Sequence, residues 1–173
     1  MIRLLALLIA LAQPAAPQLI DQNGRAFTLA ALRGRPVAIT FVSAHCTDAC
    51  PLVNAQFAQA AQTIVKRKLD ATLLTVTLDP EHDSLGDMRK IAREFAADSH
   101  SWLVAGGTVG NVESLMHRFG VIAVSGKNGY REGHTTFVYV LDANGKLAKT
   151  MLASTGLADD VVEAVGSPTV AAR

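Results

Sequence analysis

The feature that most constrains the fold is an apolar, β-branched run that leads into the two cysteines of the chain. Residues 37–42 are almost continuously apolar, which is typical of a strand that is buried on both faces of a sheet. Cys46 and Cys50 follow this run, and a pattern with helical periodicity begins beyond them. We therefore expect both cysteines at a strand-to-helix turn, where their sulfur atoms emerge at the same edge of the sheet.

The periodicity of the whole chain predicts an alternation of strands and helices. Strands are predicted at 37–42, 71–78, 102–105, 135–142 and 146–152, and helices after Cys50, after Ser84, at about 109–119 and at about 157–165. Residues 18–32 are expected to form a short hairpin or arm that packs on the sheet, and Asn144-Gly145 is a hairpin signal. This order predicts an α/β protein with a thioredoxin-like fold. Its central mixed sheet has helices on both faces and ends in a C-terminal β-hairpin and helix.

The N-terminal residues predict export. Residues 4–12 contain no polar side chain, they follow the basic Arg3, and cleavage is plausible after Ala12. Because a membrane span needs about 20 apolar residues, a signal peptide is favoured over a short membrane anchor. The protein is thus expected in the periplasm, or associated with the membrane and facing the periplasm. The predicted division is a signal peptide or short anchor at 1–12, a single domain at 13–166 and a flexible tail at 167–173.

Composition limits the class of partner. The chain of 173 residues is half apolar and only 18% charged, which is typical of one globular domain with a substantial core. Its formal net charge of +1 provides no basic patch for nucleic acid. We therefore predict no nucleic-acid partner.

The spacing of Cys46 and Cys50 by itself leaves three kinds of site open. Residues i and i+4 share one face of a helix, with Cα atoms about 6 Å apart, which suits a redox disulfide and equally suits two thiolates on one metal ion. A helix N-terminus lowers the pKa of a thiol, and this favours both kinds of chemistry. The third possibility is a structural disulfide, although a bridge across so small a loop constrains the unfolded chain little.

A third ligand would distinguish a metal site from a redox pair, and His134 is the candidate. Thioredoxin-like oxidoreductases present a cis-proline opposite their cysteines, just before the strand that begins the hairpin. No proline occurs between Pro80 and Pro168, and His134 stands at the corresponding place. Two thiolates and an imidazole suit a thiophilic ion. Because a structural zinc site takes four ligands and no fourth is evident, copper is favoured, as Cu(I) or Cu(II).

The other histidines are weaker candidates. His45 adjoins Cys46 and is expected to be a bystander, with tuning of the thiol or transient binding as the alternative. His82, His100 and His117 fall in charged loops or on helix surfaces, where we expect them to be exposed to solvent. None of the four has the predicted topology of a ligand.

Three motifs occur in order along the chain. They are His45-Cys46-x-x-x-Cys50-Pro51, Asp79-Pro80-Glu81-His82-Asp83 and Gly133-His134-Thr135-Thr136. Together they resemble the Sco/SenC family of copper-binding, thioredoxin-like proteins that assemble cytochrome c oxidase. The resemblance runs from about Leu19 to Lys146. It implies that Cys46, Cys50 and His134 bind copper. It also places Asp79 and Asp83 at the cysteine end of the sheet. Capping and turn formation are favoured for both, over a role of Asp79 as a weak ligand or docking contact.

The resemblance also implies a function. It suggests an exported metallochaperone, not an enzyme in the turnover sense, that delivers copper to the dinuclear copper site of oxidase subunit II or reduces the thiols of that site. A thioredoxin-like reductant or another copper chaperone would be a further partner. The alternative is a thiol-disulfide oxidoreductase or peroxiredoxin-like reductase in which Cys46 attacks and Cys50 resolves. A redox or copper sensor is a third possibility.

Overall fold

The computed structural model describes residues 16–126, 129–133 and 136–171. The strands in this part of the chain are β1 Gln18–Asp21, β2 Ala26–Thr28, β3 Val37–Val42, β4 Thr72–Thr77, β5 Trp102–Gly106, β6 Val124–Ser125, β7 Arg131–Gly133, β8 Phe137–Leu141 and β9 Leu147–Leu152. The α-helices are α1 Ala49–Arg67, α2 Leu85–Glu94, α3 Val109–Phe119, α4 Leu157–Gly166 and α5 Pro168–Ala171, and Leu29–Leu32 forms a 3-10 turn.

Seven strands form one mixed sheet in the order β2-β1-β5-β4-β3-β8-β9. β3 pairs in parallel with β4, with Val37 opposite Thr72, and β4 pairs in parallel with β5. β8 runs antiparallel to β3, and β9 runs antiparallel to β8. The predicted α/β fold of thioredoxin type, with parallel strand–helix units and a C-terminal hairpin, is confirmed.

Helices cover both faces of this sheet. On one face α1, α2 and α4 pack around a cluster that includes Phe57, Trp102 and Leu157. On the other face α3 packs against a cluster that includes Phe41 and Leu115. Every residue of β3 and β4 is buried as a result. The continuous apolar run in β3 therefore reflects burial on two faces.

The carboxyl ends of β3 and β4 lie side by side because these strands are parallel. The backbone N–H of Leu78, just past β4, donates to the carbonyl of Val42 at the end of β3, at 2.8 Å. The loop that carries the cysteines and the acidic turn after β4 consequently meet at one edge of the sheet. Such edges are where open α/β sheets place their functional sites.

The N-terminal arm joins the sheet. β1 pairs antiparallel with β2, and it also pairs antiparallel with β5, where Ile20 lies opposite Gly106. The buried amide of Gln22 fixes the arm. It donates from Nε2 to the carbonyl of Trp102 at 3.1 Å and accepts from the N–H of Val104 at 2.9 Å. The predicted hairpin therefore extends the sheet, with β2 as its edge strand.

Two short elements are absent from the sequence prediction. The glycine-rich loop before the C-terminal hairpin contains a two-stranded ribbon of β6 and β7, in which Ser125 lies opposite Arg131. Strands this short carry no readable periodicity. Residues 168–171, within the predicted tail, form α5. Val170 in this helix is buried, and its carbonyl accepts from the N–H of Ala143 at 3.2 Å.

Across residues 16–126, 129–133 and 136–171, no helix has the length and apolar character needed to cross a membrane. The predicted signal peptide or anchor at 1–12 lies outside the described residues.

Candidate metal centre

The two cysteines lie at the junction between β3 and α1. Cys50 is in the first turn of α1, whereas Cys46 belongs to the loop before the helix, because its N–H donates to the carbonyl of Ser43 in a turn at 3.2 Å. The pair therefore does not share one helix face, which corrects the geometry expected from the spacing. The thiols are nevertheless neighbours. The N–H of Cys50 donates to Cys46 Sγ at 3.4 Å, and both cysteines are free.

The two thiols have different surroundings. Cys46 is half-buried, whereas Cys50 is only 2% exposed. Burial raises the pKa of the Cys50 thiol, and its hydrogen bond with Cys46 raises that pKa further. For Cys50, burial thus outweighs the lowering expected at a helix N-terminus. This thiol holds its proton at neutral pH, so a thiophilic metal ion would have to displace that proton on binding.

The third predicted ligand, His134, lies outside the described residues. The described chain on either side of it ends at Gly133 in β7 and resumes at Thr136, just before β8. Within the described ranges no group of three or more His, Cys, Asp or Glu side chains is arranged to hold a metal ion. The described part of the site is therefore the cysteine pair.

Asp79 organises the turn after β4. Its backbone carbonyl accepts from the N–H of His82 at 3.1 Å and from that of Asp83 at 2.8 Å. Its carboxylate, which is fully buried, accepts from the N–H of Arg131 at 3.0 Å and lies 2.9 Å from Nδ1 of His82. This carboxylate therefore connects the turn to the segment that contains β7. These bonds show that Asp79 forms the turn, the role that the sequence favours over metal binding.

Asp83 ties the same turn to the cysteine loop. Its Oδ2 accepts from the Thr77 hydroxyl at 2.6 Å and from the N–H of Ala44 at 3.1 Å, and its Oδ1 lies 3.0 Å from Nδ1 of His45. Burial raises the pKa of this carboxyl, and the three hydrogen bonds act in the opposite direction. A buried carboxylate with three partners is a structural anchor.

The histidines differ in their surroundings. His82, His100 and His117 are exposed, as predicted. The side chains of His45 and His82 are 34% and 37% exposed, but each is held at Nδ1 by a carboxylate that is fully buried. Both rings also contact Tyr130. His45 stacks on the Tyr130 ring with centroids 4.0 Å apart, and His82 meets it edge-on at 4.9 Å.

No pattern in the sequence singles out Tyr130 and Arg131, although both belong to this edge of the sheet. Arg131 donates to the carbonyl of Leu78 at 3.1 Å and forms an ion pair with Glu113 of α3 at 2.8 Å. The available signal was weak. It consisted of an aromatic and a basic residue in a glycine-rich segment, shortly before His134.

A family model described as SCO1/SenC matches residues 15–167 of the chain. The chain belongs to the SCO1/SenC family. A curated relative, the SCO2-like protein of Rickettsia felis, is 29% identical in an alignment 140 residues long that covers 76% of this chain and 65% of the relative. The chain thus spans slightly less than two thirds of the length of that relative.

Solved structures of Sco proteins share the fold. ScoI of Bradyrhizobium japonicum, solved with copper bound, is 26% identical, with a TM-score of 0.73 over 87% of this chain and 98% of that chain. BsSco, described as a member of the Sco family of cytochrome c oxidase assembly proteins, is 20% identical, with a TM-score of 0.73 over 86% of this chain and 88% of that chain.

Proposed function

We propose that this SCO1/SenC protein is an exported copper metallochaperone that binds one copper ion through Cys46, Cys50 and His134. The observation that carries the proposal is the pair of free, adjacent thiols at the junction of β3 and α1. Two soft sulfur ligands favour Cu(I), and an imidazole nitrogen completes a set that also accepts Cu(II). The copper found in the related Bradyrhizobium ScoI supports the same cargo.

The exposure and protonation of the two cysteines suit a site that binds copper and later releases it. Cys46 is partly accessible, so a partner can reach it, whereas Cys50 is buried. Because the Cys50 thiol is protonated at neutral pH, copper binding releases protons and reprotonation favours copper release. Affinity should therefore fall as the pH is lowered.

The proposed site is tested by titrating the reduced protein with Cu(I) against a chromogenic chelator. We expect one copper ion per wild-type protein and loss of that tight binding in the Cys46→Ala and Cys50→Ala variants. His134→Ala should bind more weakly than wild type. His100→Ala and His117→Ala, which replace exposed histidines, are the matched controls and should bind as wild type does. Full affinity in His134→Ala would refute the ligand set.

The proposed client is the dinuclear copper site of cytochrome c oxidase subunit II, to which the protein delivers copper or whose thiols it reduces. The description of BsSco as an oxidase assembly protein supports this client. A purified soluble domain of subunit II, with its thiols reduced and no copper, should take up copper from the loaded protein, giving the absorption spectrum of its dinuclear site. The wild-type protein without copper is the control and should not produce that spectrum. No transfer from the wild-type protein would exclude delivery.

A second candidate function is thiol-disulfide exchange, favoured by the partial exposure of Cys46 beside a second free thiol. The Cys46 thiolate would attack a disulfide, and Cys50 would then attack the mixed disulfide, releasing the reduced product and leaving the pair oxidised. Rapid turnover on a protein disulfide that does not depend on His134 would favour this function over copper delivery. A thioredoxin-like reductant would be needed to restore the thiols.

A further inference from the structure

Tyr130 is held by two imidazole rings from two different loops. The His45 ring, from the cysteine loop, stacks on it with an interplanar angle of 11° and centroids 4.0 Å apart. The His82 ring, from the acidic turn after β4, meets it at 71° and 4.9 Å. We call this arrangement, together with the carboxylates of Asp79 and Asp83, the Tyr130 clamp.

Each imidazole of the Tyr130 clamp is fixed from its other side. Nδ1 of His45 lies 3.0 Å from Asp83 Oδ1, and Nδ1 of His82 lies 2.9 Å from Asp79 Oδ1. Both carboxylates are fully buried and accept other hydrogen bonds, so they hold the rings in one orientation. Such carboxylate-anchored rings form a rigid surface for Tyr130.

The clamp joins the cysteine loop to the segment that leads into His134. On one side Asp83 accepts from the N–H of Ala44, two residues before Cys46. On the other side Asp79 accepts from the N–H of Arg131, three residues before His134. The Tyr130 clamp therefore connects two chain segments that are distant in sequence and that precede the proposed ligands.

We propose that His45, Tyr130 and His82 are positioning residues that set the copper coordination by holding the cysteine loop against the segment preceding His134. This inference rests on the proposed function. Copper ligands from separate loops bind tightly only if the loops are held in place beforehand, because otherwise binding must supply the cost of ordering them. None of the three residues is itself required to bind the ion.

The test is a double-mutant cycle on Cu(I) affinity, using the reduced full chain and a competing chelator. Tyr130→Ala should weaken binding about 10- to 100-fold, the effect of losing a residue that orients a metal ligand. In the His134→Ala background the same substitution should have no further effect, because the clamp acts through the placement of that ligand. A merely structural role would reduce affinity in both backgrounds alike.

His82→Ala is the second variant, since it leaves the tyrosine and the cysteine loop intact. It should weaken binding in the same direction, again only when His134 is present, and should broaden the electron paramagnetic resonance spectrum of the Cu(II) form into more than one species. His117→Ala, on the exposed surface of α3, is the control and should match wild type. Thermal melts of the copper-free variants show whether each one folds.

Two results would overturn the clamp alone. One is wild-type affinity and spectrum in both Tyr130→Ala and His82→Ala, and the other is an equal loss of affinity with and without His134. By contrast, wild-type affinity in the His134→Ala single variant would refute the proposed copper site and the clamp together. The two failures are therefore distinguishable within one set of proteins.

Discussion

At the scale of single residues, the two cysteines are chemically unequal although they are neighbours. Cys50 is buried in the first turn of α1, and burial raises its pKa, whereas Cys46 is partly exposed in the preceding loop. Nucleophilic reactions require both a thiolate and access to it. In both proposed functions, copper delivery and disulfide exchange, Cys46 is therefore the thiol that a partner would reach.

This inequality predicts the order of alkylation. In the reduced native protein at about neutral pH, iodoacetamide should modify Cys46 well before Cys50, because the buried Cys50 is both inaccessible and protonated. Peptide mass spectrometry after a short exposure measures the two yields. In concentrated urea both residues should react at similar rates, which controls for intrinsic reactivity. Equal labelling of the native protein would contradict the structure.

The two aspartates of the acidic turn illustrate what a motif does and does not reveal. The sequence pattern places Asp79 and Asp83 after a strand, and turn formation followed from that placement. Their hydrogen-bond partners do not follow from it, because Arg131 and His45 come from distant segments. Contacts of this kind depend on how loops meet after the sheet is assembled.

At the scale of secondary structure, the start of α2 follows directly from the sequence. Ser84, predicted as the N-cap, accepts from the N–H of Asp87 at 3.2 Å, and its own N–H donates to the Asp87 carboxylate at 2.8 Å. These reciprocal bonds form a capping box. The hydrogen bonds from the hydroxyl and N–H of Ser84 lower the pKa of Asp87.

Ser84→Ala should therefore destabilise the protein by about 1 kcal/mol at neutral pH. Because the pKa of Asp87 is lowered in the folded state, its contribution is present above the ordinary value of 3.8 and is lost as the pH falls through the lowered pKa. The difference between variant and wild type should shrink at acidic pH. Urea unfolding of the variant and the wild type at neutral and at acidic pH measures the difference in unfolding free energy. Ser114→Ala, at an exposed position in α3, is the control and should change stability by only a few tenths of a kcal/mol.

The ribbon of β6 and β7 shows the limit of prediction for elements. β6 has two residues and β7 has three, and Val124 is 60% exposed, so no apolar alternation marks them. The buried strands β3 and β4, by contrast, are readable because their whole length is covered by helices. A strand can be predicted from its apolar residues only where packing buries them.

At the scale of the whole molecule, copper bound to the proposed ligands would link the loop after β3 to the segment that precedes the C-terminal hairpin. Copper binding should therefore stabilise the folded protein. At a free Cu(I) concentration about 100 times the Kd, the expected gain is about 2.7 kcal/mol, which corresponds to a Tm increase of about 5–10 °C. Calorimetry under reducing conditions with buffered Cu(I) measures this increase. The increase should vanish in a Cys46→Ala/Cys50→Ala variant, and an unchanged increase there would place the copper elsewhere.

Three properties can be read from the amino-acid sequence alone: the order of the main strands and helices, the cysteine pair at the end of β3, and the motifs of the SCO1/SenC family. These properties are local, since they depend on apolar periodicity, capping residues and short spacings. Three others required the tertiary structure: the position of Cys46 outside the helix, the burial of Cys50, and the contact of two histidine rings with Tyr130. Each of these rings is held by a buried carboxylate. These depend on which loops meet at the edge of the sheet, and the packing of distant segments sets that meeting.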